Sequence, residues 1–338
     1  PTHDDVSITP LGKANYHLRG RGVPWGVGIM CTHLICTVER GWGGVESGNV
    51  ARGRTGDGLG TDSGRILRDG IRPKRAKTGV VPISFRLMSD LSRQPVIVSA
   101  ARTPIGRYLG GLASLSAPDL GAIVIRAALS RAKVSPEDVG NVIMGNVLQG
   151  GVGQAPARQA ALKAGLPGTG SAVTVNKVCG SGLEAVMLAA SSIKAGDEQV
   201  VVAGGQESMS NSPYYVYGYR GGVKFGDQTM VDGLIKDGLW CSFCDVHMGV
   251  HADYTARKVT ITREEQDVFA ALSHSKAIAA IDAGKFKAEI VPVEIVGRKG
   301  TTIVDADEGP RRDTTVAALS KLRPAFDGKD KAADRTVT

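Results

Sequence analysis

The groups in this chain best suited to chemistry are sulfur and imidazole. In the stretch TVNKVCGSGLEAVMLAA, residues 174–190, one cysteine follows a β-branched run and precedes an amphipathic pattern. Residues 172–178 have the Val and Thr content of a short buried strand, and from Ser181 the apolar positions Leu183, Val186, Met187 and Ala190 recur at helical spacing. The spacing places Cys179 at a strand-to-helix turn. Gly180 and Gly182 permit a sharp turn and the close approach of another group, while the unpaired amides of the first helical turn favour a thiolate. This stretch leaves two readings open, a nucleophile or a structural cysteine, since free Cys is among the most buried residue types.

A second constellation lies in CSFCDVHMGVH, which spaces four soft or borderline ligands as Cys241-x2-Cys244-x2-His247-x3-His251. Zinc accepts these residue types. Zinc-finger patterns, however, separate their ligand pairs by about a dozen residues so that the pairs can converge. Here MGVHADYTARKV reads as a helix that starts near His247 and carries His251 one turn on, so the cysteines would have to fold back tightly. The expectation is that no metal binds and that the two thiols line a pocket or are incidental.

The elements that must hold these groups emerge from Gln94 onward. PVIVSAARTPIG reads as strand and turn, DLGAIVIRAALSRA as helix, NVIMGNVLQ as strand and APARQAALKAG as helix, followed by the Cys179 strand and helix and the strand QVVVAGG. Ser135-Pro136-Glu137-Asp138 signals a short helical turn. Alternation of this kind predicts an α/β fold, a parallel sheet covered on both faces, with its chemistry beyond the carboxyl ends of the strands. Further on, Thr262-Arg263-Glu264-Glu265 is a capping box that opens a long helix to about Asp282, and EIVPVEIVG and TTIVDADE read as a strand pair.

Composition bounds the rest. With 338 residues and 42% apolar content, the chain can bury a sizeable core. Five scattered cysteines form no even framework, which points to free thiols in a reducing compartment, the cytoplasm. No apolar run approaches the roughly 20 residues of a membrane span, so no membrane partner is expected. The net charge of +8 suits anionic ligands without specifying one. Residues 1–92 hold 16 glycines and more basic than acidic residues, with no sustained period. This segment reads as a disordered or non-homologous extension, dispensable to the remainder, in which GIMCTHLICTV at 28–38 has the makings of a strand or short helix. Its basic residues are not interleaved with aromatic ones in the manner of a nucleic-acid tail, and no nucleic-acid partner is expected. The chain begins with Pro rather than Met, consistent with a fragment or a mistranslated upstream region.

Seven motifs, VSAARTPIGRYLGGL, NVLQGGVGQAPARQAAL, VNKVCGSGLEAVMLAA, VVAGGQESMSNSPY, RGGVKFGDQTM, HMGVHADYTA and LRPAFD, occur in order over residues 93–338. In sequence and spacing they resemble the thiolase family, in its acetyl-CoA acetyltransferase branch. The resemblance implies a thiolase-like N-terminal half with an inserted α+β loop domain. It divides the chain into a core domain at 93–205, a loop domain at 206–312 and a return to the core at 313–338. It further implies condensation of two acetyl-CoA to acetoacetyl-CoA and CoA, or the reverse, through an acyl-cysteine. No tightly bound cofactor is implied; coenzyme A and acetyl-CoA are substrates, and the family forms dimers or tetramers.

By motif, Cys179 resembles the family's nucleophile. His247 resembles the histidine near the pantetheine and thioester, Met248 the apolar wall beside it, Leu239 another pantetheine contact, and Arg311 of DADEGPR the arginine against the adenine end, although its flanking residues differ. The family's second half, with an Asn in NEAF, the His of GHP that serves as base and a second Cys in CxGxG that serves as acid/base, has no counterpart in these residues. Little turnover by the chain alone is therefore expected, together with an exposed apolar face. A ketoacyl synthase-like condensing enzyme resembles the chain less, because the loop-domain motifs are the thiolase's own. A non-catalytic acyl-CoA-binding module is the alternative from another class.

Overall fold

The computed structural model describes residues 35–40 as backbone, and 94–298, 300–326 and 335–338. A five-stranded sheet is the centre of the molecule. Its strands are β1 (Ile35–Arg40), β2 (Pro95–Ala101), β3 (Asn141–Gly145), β4 (Ser171–Val175) and β5 (Val200–Gly205), in the order β2-β1-β5-β3-β4. The pairs β3–β4 and β3–β5 are parallel, whereas β1 runs antiparallel to both of its neighbours.

Three helices cover this sheet: α1 (Ala117–Ala132), α2 (Pro156–Lys163) and α3 (Ser181–Ala195). The alternation of strand side chains decides which helix lies where. Val142, Met144 and Val202 pack with Ala122, Ile125 and Ala128 of α1 and with Ala157, Ala160 and Ala161 of α2. Their neighbours Ile143, Val201 and Ala203 point the other way, onto Ala185, Ala189 and Ile193 of α3. Each β3 and β5 strand is thus apolar on both faces, as a sheet between two helical layers requires. Ser116 begins α1 through a capping box with Asp119, and Lys133 ends it in the left-handed conformation.

Within GIMCTHLICTV, the stretch with the makings of a strand or short helix, β1 begins at Ile35; residues 35–40 pair with β2 from Ile35↔Ala101 to Arg40↔Pro95 and with β5 from Cys36↔Ala203 to Glu39↔Val200. The physical reason is backbone hydrogen bonding, which a six-residue extended run satisfies on both sides without a sustained hydrophobic period. The other residues of 1–92, and the reading of them as dispensable, lie outside the described residues. The signalled turn at Ser135 is a short 3₁₀ turn over Pro136–Asp138, and the Ser135 hydroxyl bonds the Glu137 carboxylate instead of capping it.

After β5 the chain builds small elements. Two-residue strands β6 (Tyr214–Tyr215) and β7 (Val231–Asp232) pair with each other, as do β8 (Trp240–Cys241) and β9 (Val246–His247). Helices α4 (Met248–Lys258) and α5 (Arg263–Asp282) follow, then the antiparallel hairpin β10 (Val293–Gly297) and β11 (Gly300–Val304) and a short α6 (Val316–Leu319). The capping box at Thr262 and Glu265 forms as its sequence predicts. Val293 packs against Leu112 and Leu120, joining the hairpin to the α1 side of the sheet.

Candidate active site

Cys179 sits between the end of β4 and the start of α3, and its thiol is exposed. The preceding residue, Val178, has a φ of 47°. Left-handed backbone at a β-branched residue is a strained conformation that persists only where its surroundings over-determine it. They do so here. The Ser181 hydroxyl donates to the Val178 carbonyl at 2.6 Å and accepts from the Lys177 amide at 2.8 Å, and the Val178 amide donates to Asn176 Oδ1 at 2.9 Å. The amides of Gly180 and Ser181 donate to the Lys177 and Val178 carbonyls, both at 3.1 Å. Those two amides were expected to be free for the thiol; the tight turn uses them instead.

The start of α3 lies directly on the ends of two strands. A Cβ on Gly145, the last residue of β3, would stand 2.4 Å from the Ser181 carbonyl carbon and 2.6 Å from the Gly182 nitrogen. Beyond the strand ends, the Glu207 carboxylate gathers the loop after β3: it accepts from Asn146 Nδ2 at 2.7 Å, Val147 N at 2.8 Å and Leu148 N at 3.1 Å. Burial pushes the Glu207 carboxyl above its ordinary pKa, and these three donors offset only part of that shift. Sequence reasoning did not single out Glu207, although NVLQ and GGQES each follow a strand, which is where such a partner belongs.

The hairpin β8–β9 assembles three other candidates. Leu239 ends a π-helical turn at Ile235–Leu239, immediately before β8, and Trp240 is the register partner of His247. His247 caps α4: its Nδ1 accepts from the Gly249 amide at 3.0 Å. A neutral imidazole that accepts at Nδ1 carries its proton on Nε2, so the free nitrogen is a donor. The ring stacks on Phe326, centroids 4.8 Å apart and planes 24° apart. Gly249 leaves room for that contact, since a Cβ there would come within 2.2 Å of the Phe326 ring. Met248, beside it, is 41% exposed. Phe326 belongs to LRPAFD, where an aromatic residue gave no signal of its partner in sequence.

Arg311 stands apart from this group. Its side chain is exposed and its backbone amide donates to His274 Nδ1 at 3.0 Å, whereas Arg312 is the residue that pairs with Asp282. Among the described residues, no hydrogen bond or ring contact joins Cys179 to Leu239, His247, Met248 or Arg311. A cavity of about 140 Å³ lined by Pro104, Leu112, Leu120, Glu207 and Leu234 contains none of the five.

The cysteine-histidine stretch folds differently from its expected layout. Cys241, Cys244 and His251 converge, with their ligand atoms all within 4.8 Å of one another. The tight fold-back that spacing argued against is made by Asp245, left-handed at φ 55°, whose amide donates to the Cys241 carbonyl at 2.9 Å. The Cys244 amide donates to Cys241 Sγ at 3.4 Å. That bond, followed by one with His251, pulls the Cys241 thiol down to about 7, while the proximity of Cys241 pushes the Cys244 thiol up. Among the described residues no helix is long and apolar enough to cross a membrane.

Residues 95–336 match the family model described as Thiolase, N-terminal domain. The chain is also similar to curated proteins named acetyl-CoA acetyltransferase. It is 53% identical to that of Pseudomonas aeruginosa over 232 residues and 56% identical to that of Cupriavidus necator over 233, covering 68% and 69% of this chain. A plant relative, acetyl-CoA acetyltransferase 2 of Arabidopsis thaliana, is 53% identical over 236 residues. The match spans 59% of the length of each bacterial relative and 58% of the plant one.

Proposed function

This chain belongs to the thiolase family through its N-terminal domain, and from that premise we propose that Cys179 is the acyl-accepting residue of an acetyl-CoA acetyltransferase. The observation that carries the reading is the turn at Val178. A strained residue fastened by a buried serine, with an exposed thiol next to it at the end of a sheet strand, is an arrangement that presents a nucleophile.

The thiolate attacks the carbonyl carbon of acetyl-CoA; the C–S bond to coenzyme A breaks, and coenzyme A departs as the thiol once protonated. Cys179 then carries the acetyl group. In the second half-reaction a second acetyl-CoA gives up a methyl proton, and its enolate carbon attacks the acyl-cysteine, releasing the Cys179 sulfur and forming acetoacetyl-CoA. The reverse sequence cleaves acetoacetyl-CoA with coenzyme A. In this reading residues 93–205 hold the nucleophile and 206–312 the coenzyme A contacts. His247 offers its Nε2–H to a thioester oxygen, with Leu239 and Met248 as apolar walls, and Arg311 meets the nucleotide end. The protein acts in the reducing cytoplasm, which its free Cys179, Cys241 and Cys244 suit, and assembles as a homo-oligomer.

Among the described residues no side chain hydrogen-bonds the Cys179 thiol. A positioned base contributes about 10² to 10⁴-fold, so acylation of Cys179 by the described residues alone is slow and turnover is low. The same observation favours a second reading, an acyl-CoA-binding module without catalysis. Incubation with acetyl-CoA, acid quench and peptide mass spectrometry separates the two: an acetyl group on Cys179 is expected. Acetylation of Cys241 or Cys244 instead overturns the assignment, and coenzyme A binding with no adduct establishes the module.

A further inference from the structure

Acyl transfer as proposed leaves Cys241, Cys244 and His251 without a task, although they are the densest group of soft ligands among the described residues. They come from β8, from the turn after it and from the first turns of α4, and the turn that joins them is well specified. Asp245 holds it with its left-handed backbone, its amide bond to Cys241 and its carboxylate, which accepts from Trp240 Nε1 at 2.9 Å.

The geometry is near that of a tetrahedral metal. Zinc binds cysteine sulfur at about 2.3 Å and histidine nitrogen at about 2.0 Å, which sets neighbouring ligand atoms roughly 3.5 to 4 Å apart. Ligand atoms that lie within 4.8 Å of one another are close to that spacing. The short C-x2-C spacing supplies one half of such a site, and the Cys244 amide already donates to Cys241 Sγ, the kind of outer bond that orients a ligating thiolate. Two thiolates and an imidazole favour zinc or cuprous copper over magnesium or calcium, which prefer oxygen.

His247, the fourth member of the sequence pattern, is otherwise engaged: its Nδ1 accepts from Gly249 and its ring stacks on Phe326. Cys244 is exposed and Phe243 beside it fully so, which opens the remaining coordination position to water or to an incoming thiol. We propose that Cys241, Cys244 and His251 form a three-ligand site for a thiophilic cation of the zinc class, with the fourth position open to solvent. On binding, each thiol releases its proton to water and no electrons are exchanged. The proposal does not depend on the acyl-transfer reading.

The test uses the full chain, reduced and stripped with chelator, and Co²⁺ as the probe. A single Co²⁺ per chain with thiolate-to-cobalt charge-transfer absorption of the tetrahedral kind is expected, displaced by Zn²⁺. Cys241→Ser and Cys244→Ser each weaken that absorption, and the double variant removes it. His251→Gln weakens binding by at least the roughly tenfold that loss of an outer-shell partner alone can cost. A measurement on the unaltered chain guards against misfolded variants: Zn²⁺ shields Cys241 and Cys244, but not Cys179, from iodoacetamide. The proposal is overturned if charge-transfer bands are missing, if they survive in the Cys241→Ser/Cys244→Ser double variant, if Zn²⁺ leaves alkylation unchanged, or if a Cys241–Cys244 disulfide forms and no cobalt is taken up under reducing conditions.

Discussion

Asp307 holds Arg102 with both carboxylate oxygens: Nη1 donates to Oδ1 at 2.7 Å and Nη2 to Oδ2 at 3.0 Å. The pair joins the end of β2 to the loop after β11. Arg102 is 5% exposed, and its Nε also donates to Glu289 at 2.7 Å. The Asp307 side chain is 9% exposed, against 41% for Glu289. Asp307→Ala leaves a buried guanidinium without its main partner and should cost about 3 to 5 kcal/mol. Glu289→Ala should cost no more than about 1 kcal/mol. Urea unfolding of both variants checks the ranking; equal losses would show that burial is not what makes Asp307 matter.

Val178→Gly removes the left-handed strain at φ 47°. The side chain is 54% exposed, so little packing goes with it. Relief of roughly 1 to 2 kcal/mol of strain, set against about 0.5 to 1 kcal/mol of glycine chain entropy, predicts a protein more stable by about 1 kcal/mol. Acetylation of Cys179 should nevertheless slow, because the turn then samples other conformations. Stability by denaturation and adduct formation by mass spectrometry are measured on the same sample, and a variant improved in both respects would contradict a role for strain.

Gly145→Ala places a methyl group against the backbone of Ser181 and Gly182. Backbone cannot rotate aside as a side chain can, so about 1 to 3 kcal/mol of stability should be lost. The first turn of α3 should shift and Cys179 acetylation should fall with it. Gly165→Ala, a glycine with nothing near its missing Cβ but a φ of 95°, serves as the contrast: strain there should lower stability without touching Cys179 reactivity.

Glu207 gives a pH signature. Its folded carboxyl is raised above the ordinary 4.5 by burial. The native state therefore holds this proton more tightly than the unfolded chain does. The resulting stability is fully present below pH 4.5 and is lost as pH rises through the raised value. Glu207→Gln should flatten that part of the stability–pH curve. It should also cost about 1 to 3 kcal/mol at neutral pH, because an amide cannot accept from Val147, Leu148 and Asn146 at both ends. An unchanged curve in the variant would assign the slope to another group.

Much of this was legible in sequence where local chemistry decides. The capping box at Thr262, the apolar strands β3 and β5 and the glycines around Cys179 each have a local cause, and the elements follow. What was not legible depends on tertiary placement. Glu207 lies about 60 residues from the amides it collects, and Phe326 meets His247 only after α4, α5 and the β10–β11 hairpin have turned the chain back. The convergence of Cys241, Cys244 and His251 failed for a subtler reason: the spacing rule assumes separate ligand pairs, whereas one left-handed residue, Asp245, reverses the chain within the motif itself. A strand or short helix was legible at 28–38, but the place of residues 35–40 between β2 and β5 was not, because backbone pairing, not side-chain periodicity, recruits them.

That strand makes the sheet a keyed assembly. β2 has β1 as its partner within the sheet, and β1 in turn is the link to β5 and everything beyond. Withdrawing six residues would leave two raw edges facing each other, each a row of unpaired amides and carbonyls that invites another chain to add a strand. The vacancy would be defined by backbone spacing and direction alone. Any extended segment placed there has to run antiparallel to both sides, as β1 does.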